Sequence, residues 1–196
     1  MCEGGQTVVY DSDTNGVRHL WKLNLKDGGS VQLTNGLGES DAQCSPKGDM
    51  VYYRRGTAEG KTKISRMAIS GVGEEDLSEI PAVSPPHISP DGRYVLFGTP
   101  RKDGTVVAAI LSTETGRPEA EYYLPETAES WYEGDWMPDN RSFGVPDMRS
   151  GNTNLWALPV FAGGKEKQIT HFTADSTDRF SIHVGRKMDC DVEDFL

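Results

Sequence analysis

Clustered carboxylates are the residues of this sequence whose types and spacing could do chemistry. They lie in polar segments between apolar runs, and two neighbouring aromatic residues accompany one of the clusters. Converging carboxylates could hold a hard cation such as Ca²⁺ or receive a basic peptide, and exposed aromatic side chains often anchor protein partners. We predict that the partner-binding residues are Trp131, Tyr132, Glu133, Asp135, Glu39, Asp41, Asp175 and Asp178.

The common catalytic motifs are absent from the sequence. It contains no Gly-x-Ser-x-Gly, His-Glu-x-x-His, phosphate-binding-loop or kinase motif, and its 4 histidines share no metal-ligand spacing. Acidic residues are frequent in loops, and basic residues such as Arg54, Arg101 and Arg149 lie in the same segments and could neutralise them. We therefore predict a non-enzymatic chain with no catalytic residue, cofactor or metal ligand. A small-molecule or cation ligand stays open beside the protein or peptide partner.

Charge and hydropathy narrow the classes of partner further. The 196 residues include 30 acidic and 20 basic side chains, and the resulting net charge of −10 repels phosphate backbones, so nucleic-acid binding is not expected. No apolar run approaches the roughly 20 residues that span a bilayer, and residues 1–20 lack the pattern of a signal peptide. The sequence as written predicts a cytoplasmic chain, or a periplasmic one if an export segment precedes Met1. Cys2, Cys44 and Cys190 show no CxxC pair, and we expect incidental thiols.

A turn that leads directly into a strand is repeated along the chain. Its clearest copy is Ile88-Ser-Pro-Asp-Gly-Arg-Tyr-Val-Leu-Phe97. In this copy Pro90 presets φ, the Asp91 side chain caps a backbone N–H, and Gly92 accepts a positive φ. The apolar and aromatic residues that follow are typical of a short β-strand.

Related copies recur at a nearly constant interval. They occupy residues 44–53 and 136–145, where Asn140 replaces the glycine as the next best residue for a left-handed backbone. Successive turn residues are 43, 44, 48 and 45 positions apart, at Gly5, Gly48, Gly92, Asn140 and Gly185. This interval indicates a structural repeat.

The second half of each unit also repeats, with an alternating strand, a glycine turn and a returning strand. Leu20-Trp-Lys-Leu23 and Leu155-Trp-Ala-Leu158 are the closest pair. The pattern of each unit therefore predicts four short antiparallel strands, which we label A to D. No segment shows the apolar period of a helix. The fold class is all-β, a β-propeller of four-stranded antiparallel blades. The predicted units are about 4–43, 44–87, 88–135 and 136–180, with 186–196 as a C-terminal tail or last strand.

Strand direction predicts where the loops lie. Strands A and C run one way and strands B and D the other, so the tight A–B and C–D turns share one end of the sheets. The longer B–C and D–A connections share the opposite end, and all the predicted partner-binding residues fall there. Those in D–A loops are expected to surround the central channel, where a rigid scaffold can present a binding surface.

The repeat motifs resemble the TolB-like, WD-repeat-related propeller repeats from about Gly4 to about Gly185. The resemblance is carried by Ser89-Pro-Asp-Gly92, Leu20-Trp-Lys-Leu23, Asp27-Gly-Gly29 and Gln32-Leu-Thr34. More narrowly, residues 31–40 and 80–87 look like bacterial propeller regions fused C-terminal to a serine/threonine kinase or a winged-helix regulator. The resemblance implies a six-bladed, non-enzymatic propeller that binds proteins or senses ligands.

Four units are visible where this resemblance implies six, and the first unit lacks its A strand. Six blades would need roughly 270 residues. The chain is therefore either the C-terminal part of a longer signalling protein, the alternative we favour, or a reduced four-bladed ring closed by residues 180–184. The alternative functions are the substrate-gating propeller of a prolyl-oligopeptidase-like serine peptidase, whose catalytic domain lies outside this chain, and a free-standing TolB-like partner of envelope proteins.

Overall fold

The computed structural model describes residues 2–13, 16–126, 128 and 134–173 of the chain. Within these residues it contains four antiparallel β-sheets, no α-helix and a 3-10 turn at Glu3–Gly5. Each sheet is built from strands that follow one another along the chain, and the four sheets succeed one another in sequence order. The predicted all-β fold class, with antiparallel sheets as repeated units, is confirmed.

The strands of the four sheets have the following bounds. The first sheet contains β1 (Thr7–Ser12), β2 (His19–Asn24) and β3 (Ser30–Gln32). The second contains β4 (Glu39–Cys44), β5 (Met50–Gly56), β6 (Thr62–Ala68) and β7 (Glu75–Pro81). The third contains β8 (His87–Ile88), β9 (Tyr94–Pro100), β10 (Val106–Ser112) and β11 (Pro118–Tyr123). The fourth contains β12 (Asp135–Trp136), β13 (Ser142–Asp147), β14 (Asn154–Pro159) and β15 (Lys167–Gln168).

The first strands of three sheets, β4, β8 and β12, form a row of neighbours that we call the inner strands. β4 contacts β8, and β8 contacts β12. The first sheet has three strands and no inner strand among the described residues, as the sequence predicted. β4 begins at Glu39, before the residue-44 boundary of the second predicted unit.

The repeated turns adopt the backbone that their residues predict. Gly48 and Gly92 both have φ of 75°, and Asn140 has φ of 56°. In the third sheet the Ser89 hydroxyl donates to Asp91 Oδ1 at 2.7 Å. Asp91 N donates to Asn140 Oδ1 at 2.8 Å, so the turns of the third and fourth sheets are also joined to each other. The left-handed position predicted for Asn140 is confirmed.

The hydrophobic core lies between consecutive sheets. Leu96 and Phe97 are adjacent on β9 and fully buried, but they belong to different clusters because neighbouring strand residues point to opposite faces. Phe97 packs towards the second sheet, and Leu96 packs towards the fourth, where Trp136 and Phe143 are also buried. Leu20 joins the first sheet to the second.

The expectation of incidental thiols is wrong for Cys2 and Cys44, which form a disulfide with a Cα–Cα distance of 5.5 Å. The two cysteines are 42 positions apart in sequence. The packing of the first sheet against β4 brings them together, and no local spacing rule could have indicated this pairing.

Candidate functional site

The B–C and D–A connections of the described sheets lie at one end of the strands, which we call the loop face. It comprises residues 33–38, 57–61, 82–86, 101–105 and 148–153. The A–B and C–D turns lie at the opposite end, which we call the turn face, and include 45–49, 69–74, 89–93 and 113–117. These turns are as long as the loop-face connections just given, so the predicted difference in length is not seen between them. The hairpin order of the strands produces this division, because each strand reverses the direction of the previous one.

Glu39 lies at the start of β4 and not in a loop as predicted. Its side chain is fully buried, and His19 Nδ1 donates to its Oε2 at 2.9 Å. Its Oε1 lies beside Gly36, where an added Cβ would be 2.3 Å away. Glu39 N also donates to Arg18 O at 2.8 Å. Glu39 therefore fixes the 33–38 connection to the first sheet and does not itself reach the surface of the loop face.

Asp41 lies on the same strand, at an irregularity that turns its side chain outward. The pairing of β4 with β5 shifts register between Ser40 and Gln43, and Asp41 has φ of 57°. Arg54 Nη1 donates to Asp41 Oδ2 at 3.0 Å, and the Ser40 hydroxyl donates to the same oxygen at 2.9 Å. The Asp41 side chain is 30% exposed, so its carboxylate is both neutralised and accessible.

Asp135 begins the inner strand β12. Its Oδ1 accepts a hydrogen bond of 2.8 Å from Trp136 N, and Trp136 Nε1 donates to His87 O on β8 at 2.8 Å. A matching bond joins β4 to β8, because Gln43 Oε1 accepts from Ile88 N at 2.7 Å. The structure thus places Asp41 and Asp135 on one row of inner strands with β8 between them. The other predicted partner-binding residues, Trp131, Tyr132, Glu133, Asp175 and Asp178, lie outside the described residues.

A cleft of about 230 Å³ opens on the loop face, and sequence reasoning did not find it. Its walls are the 33–38 and 57–61 connections, and Gly56 N donates to Gly38 O at 2.7 Å where the walls meet. The lining residues are Gly36, Leu37, Arg55, Gly56, Thr57, Ala58, Lys63 and Asp76. Leu37 forms an apolar rim, since 67% of it is exposed.

Two cations and a carboxylate form the polar wall of the cleft. Arg55 and Lys63 are directly opposite each other on β5 and β6, an arrangement that is unfavourable for like charges. Asp76 on β7 relieves it, with Oδ1 at 3.1 Å from Arg55 Nη1 and Oδ2 at 3.5 Å from Lys63 Nζ. Burial alone would raise the pKa of Asp76, but its bond from Ser65 and the two cations lower it. The sequence contained a signal for this ion-pair network. Like charges at cross-strand positions are destabilising, so a carboxylate is expected near them.

A buried tyrosine extends this polar network towards the first sheet. Tyr53 is fully buried, and its hydroxyl donates to Glu74 Oε1 at 2.8 Å. Burial, followed by the bond to Glu74, raises the pKa of Tyr53 well above its usual range. Tyr53 therefore stays a neutral donor at physiological pH and holds Glu74 beside Arg55, whose Nε is 3.7 Å from the same carboxylate oxygen.

Exposed apolar side chains also mark the loop face. Of nine large hydrophobic residues exposed in the described structure, five lie on or beside this face: Val17, Leu37, Val106, Tyr123 and Met148. Isolated exposed apolar residues are common on folded proteins, so of these five Leu37 is the one that we assign to the candidate site, because it lies at the rim of the cleft. Among the described residues no group of three or more His, Cys, Asp or Glu side chains could hold a metal ion. Within the same residues no helix is long and apolar enough to cross a membrane.

Comparisons with known proteins establish the fold. No protein-family model and no curated protein matches the chain. TolB from Acinetobacter baumannii has a similar structure, with a TM-score of 0.65, 16% identity, and coverage of 89% of this chain and 43% of TolB. The propeller domain of the Trilobed protease from Pyrococcus furiosus gives a TM-score of 0.59, 16% identity, and coverage of 85% of this chain and 54% of that domain. The acylaminoacyl peptidase from Pyrococcus horikoshii gives a TM-score of 0.62 and 14% identity, with coverage of 85% of this chain and 31% of the peptidase.

The four sheets are therefore consecutive blades of a partial β-propeller. Their arrangement is TolB-like, and the chain spans less than two thirds of each of these similar structures. Likeness at such low identity establishes the fold, so function has to be argued from the loop face.

Proposed function

We propose that the chain is a non-catalytic propeller within a larger bacterial signalling protein, and that its loop face binds a protein or peptide partner. The observation that carries this proposal is the cleft on that face, with its charged wall of Arg55, Lys63 and Asp76 and its exposed apolar rim at Leu37. An apolar anchor beside a few oriented polar groups is the composition of small recognition sites.

Electrostatics supports a partner that carries basic groups. The whole chain has a net charge of −10, so a basic peptide is attracted to it at long range. Near the loop face, Asp41 on β4 is accessible beside Arg54, and Asp135 begins β12 in the same row of inner strands. We propose that Trp131, Tyr132, Glu133, Asp175 and Asp178 also bind the partner, while Glu39 positions the 33–38 connection without touching it.

The chemistry of the described residues supports a binding role over a catalytic one. Asp76, the carboxylate that lines the cleft, is engaged in ion pairs with Arg55 and Lys63. The buried contact between Glu39 and His19 has no Ser or Cys hydroxyl or thiol among its described side-chain hydrogen bonds. An exposed general base or nucleophile with a free approach is what an active site requires. The fully buried Glu39 does not provide one.

A second candidate is the substrate-gating propeller of a serine peptidase. The similarity to the acylaminoacyl peptidase structure favours it, because that protein combines this fold with an enzyme. The two candidates differ in what the natural full-length polypeptide contains. A fluorophosphonate probe labels an active serine hydrolase covalently, so labelling of the natural polypeptide would support the peptidase and contradict the signalling role.

Site-specific photo-crosslinking tests the binding surface directly. A benzophenone amino acid would replace Leu37 on the loop face, and a matched control would replace Val72 on the turn face, because the two residues are 67% and 65% exposed. We expect a discrete crosslinked partner from position 37 that excess unlabelled chain removes. Equal crosslinking from both positions, or none from position 37, would contradict the proposed surface.

A further inference from the structure

The first sheet is held at its inner edge in a different way from the other three. In the described residues β1 has no partner strand on the side away from β2. Leu25 N donates to Gln6 O, and this fixes which residues of β1 bond to β2. The alternation of an antiparallel ladder then leaves the N–H and C=O groups of Val9 and Asp11 pointing to the free edge.

Cys2 and Cys44 lie where an inner strand would otherwise connect this sheet to its neighbour. Cys2 precedes β1 and is held against it by backbone bonds with Thr7, while Cys44 is the last residue of β4. Cys2 is 1% exposed and packs in the same cluster as Leu20 of the first sheet and Val51 of the second. Their Cα–Cα distance of 5.5 Å is within the usual range for a disulfide.

The remaining polar ties between the first two sheets are few and non-covalent. Lys22 Nζ donates to Ile69 O at 3.3 Å, and Glu39 accepts from His19 at 2.9 Å and donates to Arg18 O at 2.8 Å. Each such bond contributes little net stability and is replaced by water when the sheets separate. The disulfide is the covalent tie among them.

We propose that Cys2 and Cys44 are a redox-controlled clasp that fastens the first sheet to the second and opens on reduction. In the clasped state the 42-residue separation between the cysteines is closed, which restricts the unfolded chain and holds β1 against β4. In the open state the first sheet retains only its packing and the weak polar ties. This inference rests on the cysteines and the free edge of β1, and is independent of the proposed partner.

The chemistry of the clasp is thiol–disulfide exchange. A dithiol reductant supplies two electrons and two protons: its thiolate attacks one sulfur, and the mixed disulfide is resolved by the second thiol of the reductant. Cys2 and Cys44 become thiols, and the reductant becomes a disulfide. The reverse reaction needs an oxidised dithiol or oxidised glutathione, so the clasp stays closed where such oxidants prevail.

Thiol mapping of the whole chain tests whether the clasp forms. The protein would be equilibrated with oxidised glutathione, denatured, alkylated without reductant and digested. We expect a peptide pair crosslinked through Cys2 and Cys44, with Cys190 outside it. Alkylation of both Cys2 and Cys44 under these conditions would overturn the proposal.

Melting and proteolysis test what the clasp does. Reduction should lower the melting temperature by roughly 10 °C. Trypsin should then cut after Lys22 on β2 much sooner than after Lys63 on β6. The double variant Cys2→Ser/Cys44→Ser should behave like reduced protein in either buffer, while the matched control Cys190→Ser should still respond to reductant. An unchanged melting temperature and unchanged cleavage after Lys22 on reduction of the natural chain would overturn the clasp without requiring any variant to fold.

Discussion

The third and first sheets differ in what covers their two faces. On β10 the five residues from Val107 to Leu111 are at most 2% exposed, whereas on β1 only Thr7 is buried. The third sheet has neighbours on both faces, so Leu96 and Phe97 both reach a core. The first sheet packs on one side through Val9 and Leu20.

The opposite face of the first sheet presents an apolar surface without a described blade against it. Register places Val8 opposite Leu23 and Tyr10 opposite Trp21, so these four side chains share the face away from Leu20. Tyr10 remains 37% exposed. In a stack of repeats, stability comes from each unit and from its interfaces with its neighbours, so a sheet with one interface is expected to open first.

The largest expected effect is the loss of a core side chain from the third sheet. Phe97→Ala should lower the free energy of unfolding by about 3–5 kcal/mol, because Phe97 is fully buried and truncation leaves a cavity. Tyr10→Ala on the first sheet should cost about 1 kcal/mol or less, since its ring is already partly in water. Urea unfolding measures both. Equal losses would contradict the difference between the two sheets.

A smaller effect is expected at the bonds that join the inner strands. Gln43→Ala leaves the Ile88 N–H without its acceptor in a largely buried place, and should cost about 1–3 kcal/mol. The matched control is Gln32→Ala on β3, an exposed edge strand. The Gln32 side chain also makes one bond to the backbone, because its Nε2 donates to Thr34 O at 2.7 Å. Urea unfolding compares the two variants. An equal loss of free energy of unfolding for Gln32→Ala and Gln43→Ala would contradict a specific contribution of the bond between the inner strands.

Asn140, in the turn between β12 and β13, contributes to stability in two ways that different substitutions can separate. Asn140→Gly keeps the left-handed backbone but loses the bond from Asp91 N, whereas Asn140→Ala loses both. We expect about 1 kcal/mol for the glycine variant and about 1 kcal/mol more for alanine, because a left-handed backbone strains a Cβ. Thermal unfolding of the pair measures the difference. Glycine and alanine variants of equal stability would contradict the strain.

Substitution of a turn carboxylate gives the smallest effect, and this effect decreases in acid. Burial would raise the pKa of Asp91, but bonds from Ser89 and Arg93 outweigh it and lower this pKa below its ordinary value. A lowered folded-state pKa contributes stability that is present above the unfolded pKa near 4 and lost as pH falls through the folded value. Asp91→Asn should therefore cost a few tenths of a kcal/mol at pH 7 and less at pH 2. The exposed Glu114→Gln is the control, and an identical pH profile for both variants would contradict this.

The fold was accessible from sequence because its turns have a local physical cause. Gly92 and Asn140 are residues that tolerate a positive φ, and the strands after them alternate or are continuously apolar. The repeat interval then indicated blades, and the missing inner strand of the first sheet followed from the truncated first copy.

The candidate site was less accessible because tertiary contacts determine it. Glu39 and Asp41 are poor strand formers in a segment typical of loops, yet pairing with β5 places them in β4. The acceptor for His19 was not visible in any spacing, and neither was the Cys2–Cys44 pair. The cleft requires the connection between the first two sheets to meet the β5–β6 connection of the second sheet at Gly38 and Gly56. Such contacts join residues that no local pattern relates.

Native-state hydrogen exchange of the whole chain tests the central claim most directly, namely that these are consecutive blades of a partial propeller whose first blade is the least supported. The measurement compares backbone amides of β9 and β10 with those of β1 and β2 under oxidising conditions. We expect β9 and β10 to exchange only through global unfolding, and β1 and β2 to exchange at least about tenfold faster through local opening. Equal protection of β1, β2 and β10 would contradict the account.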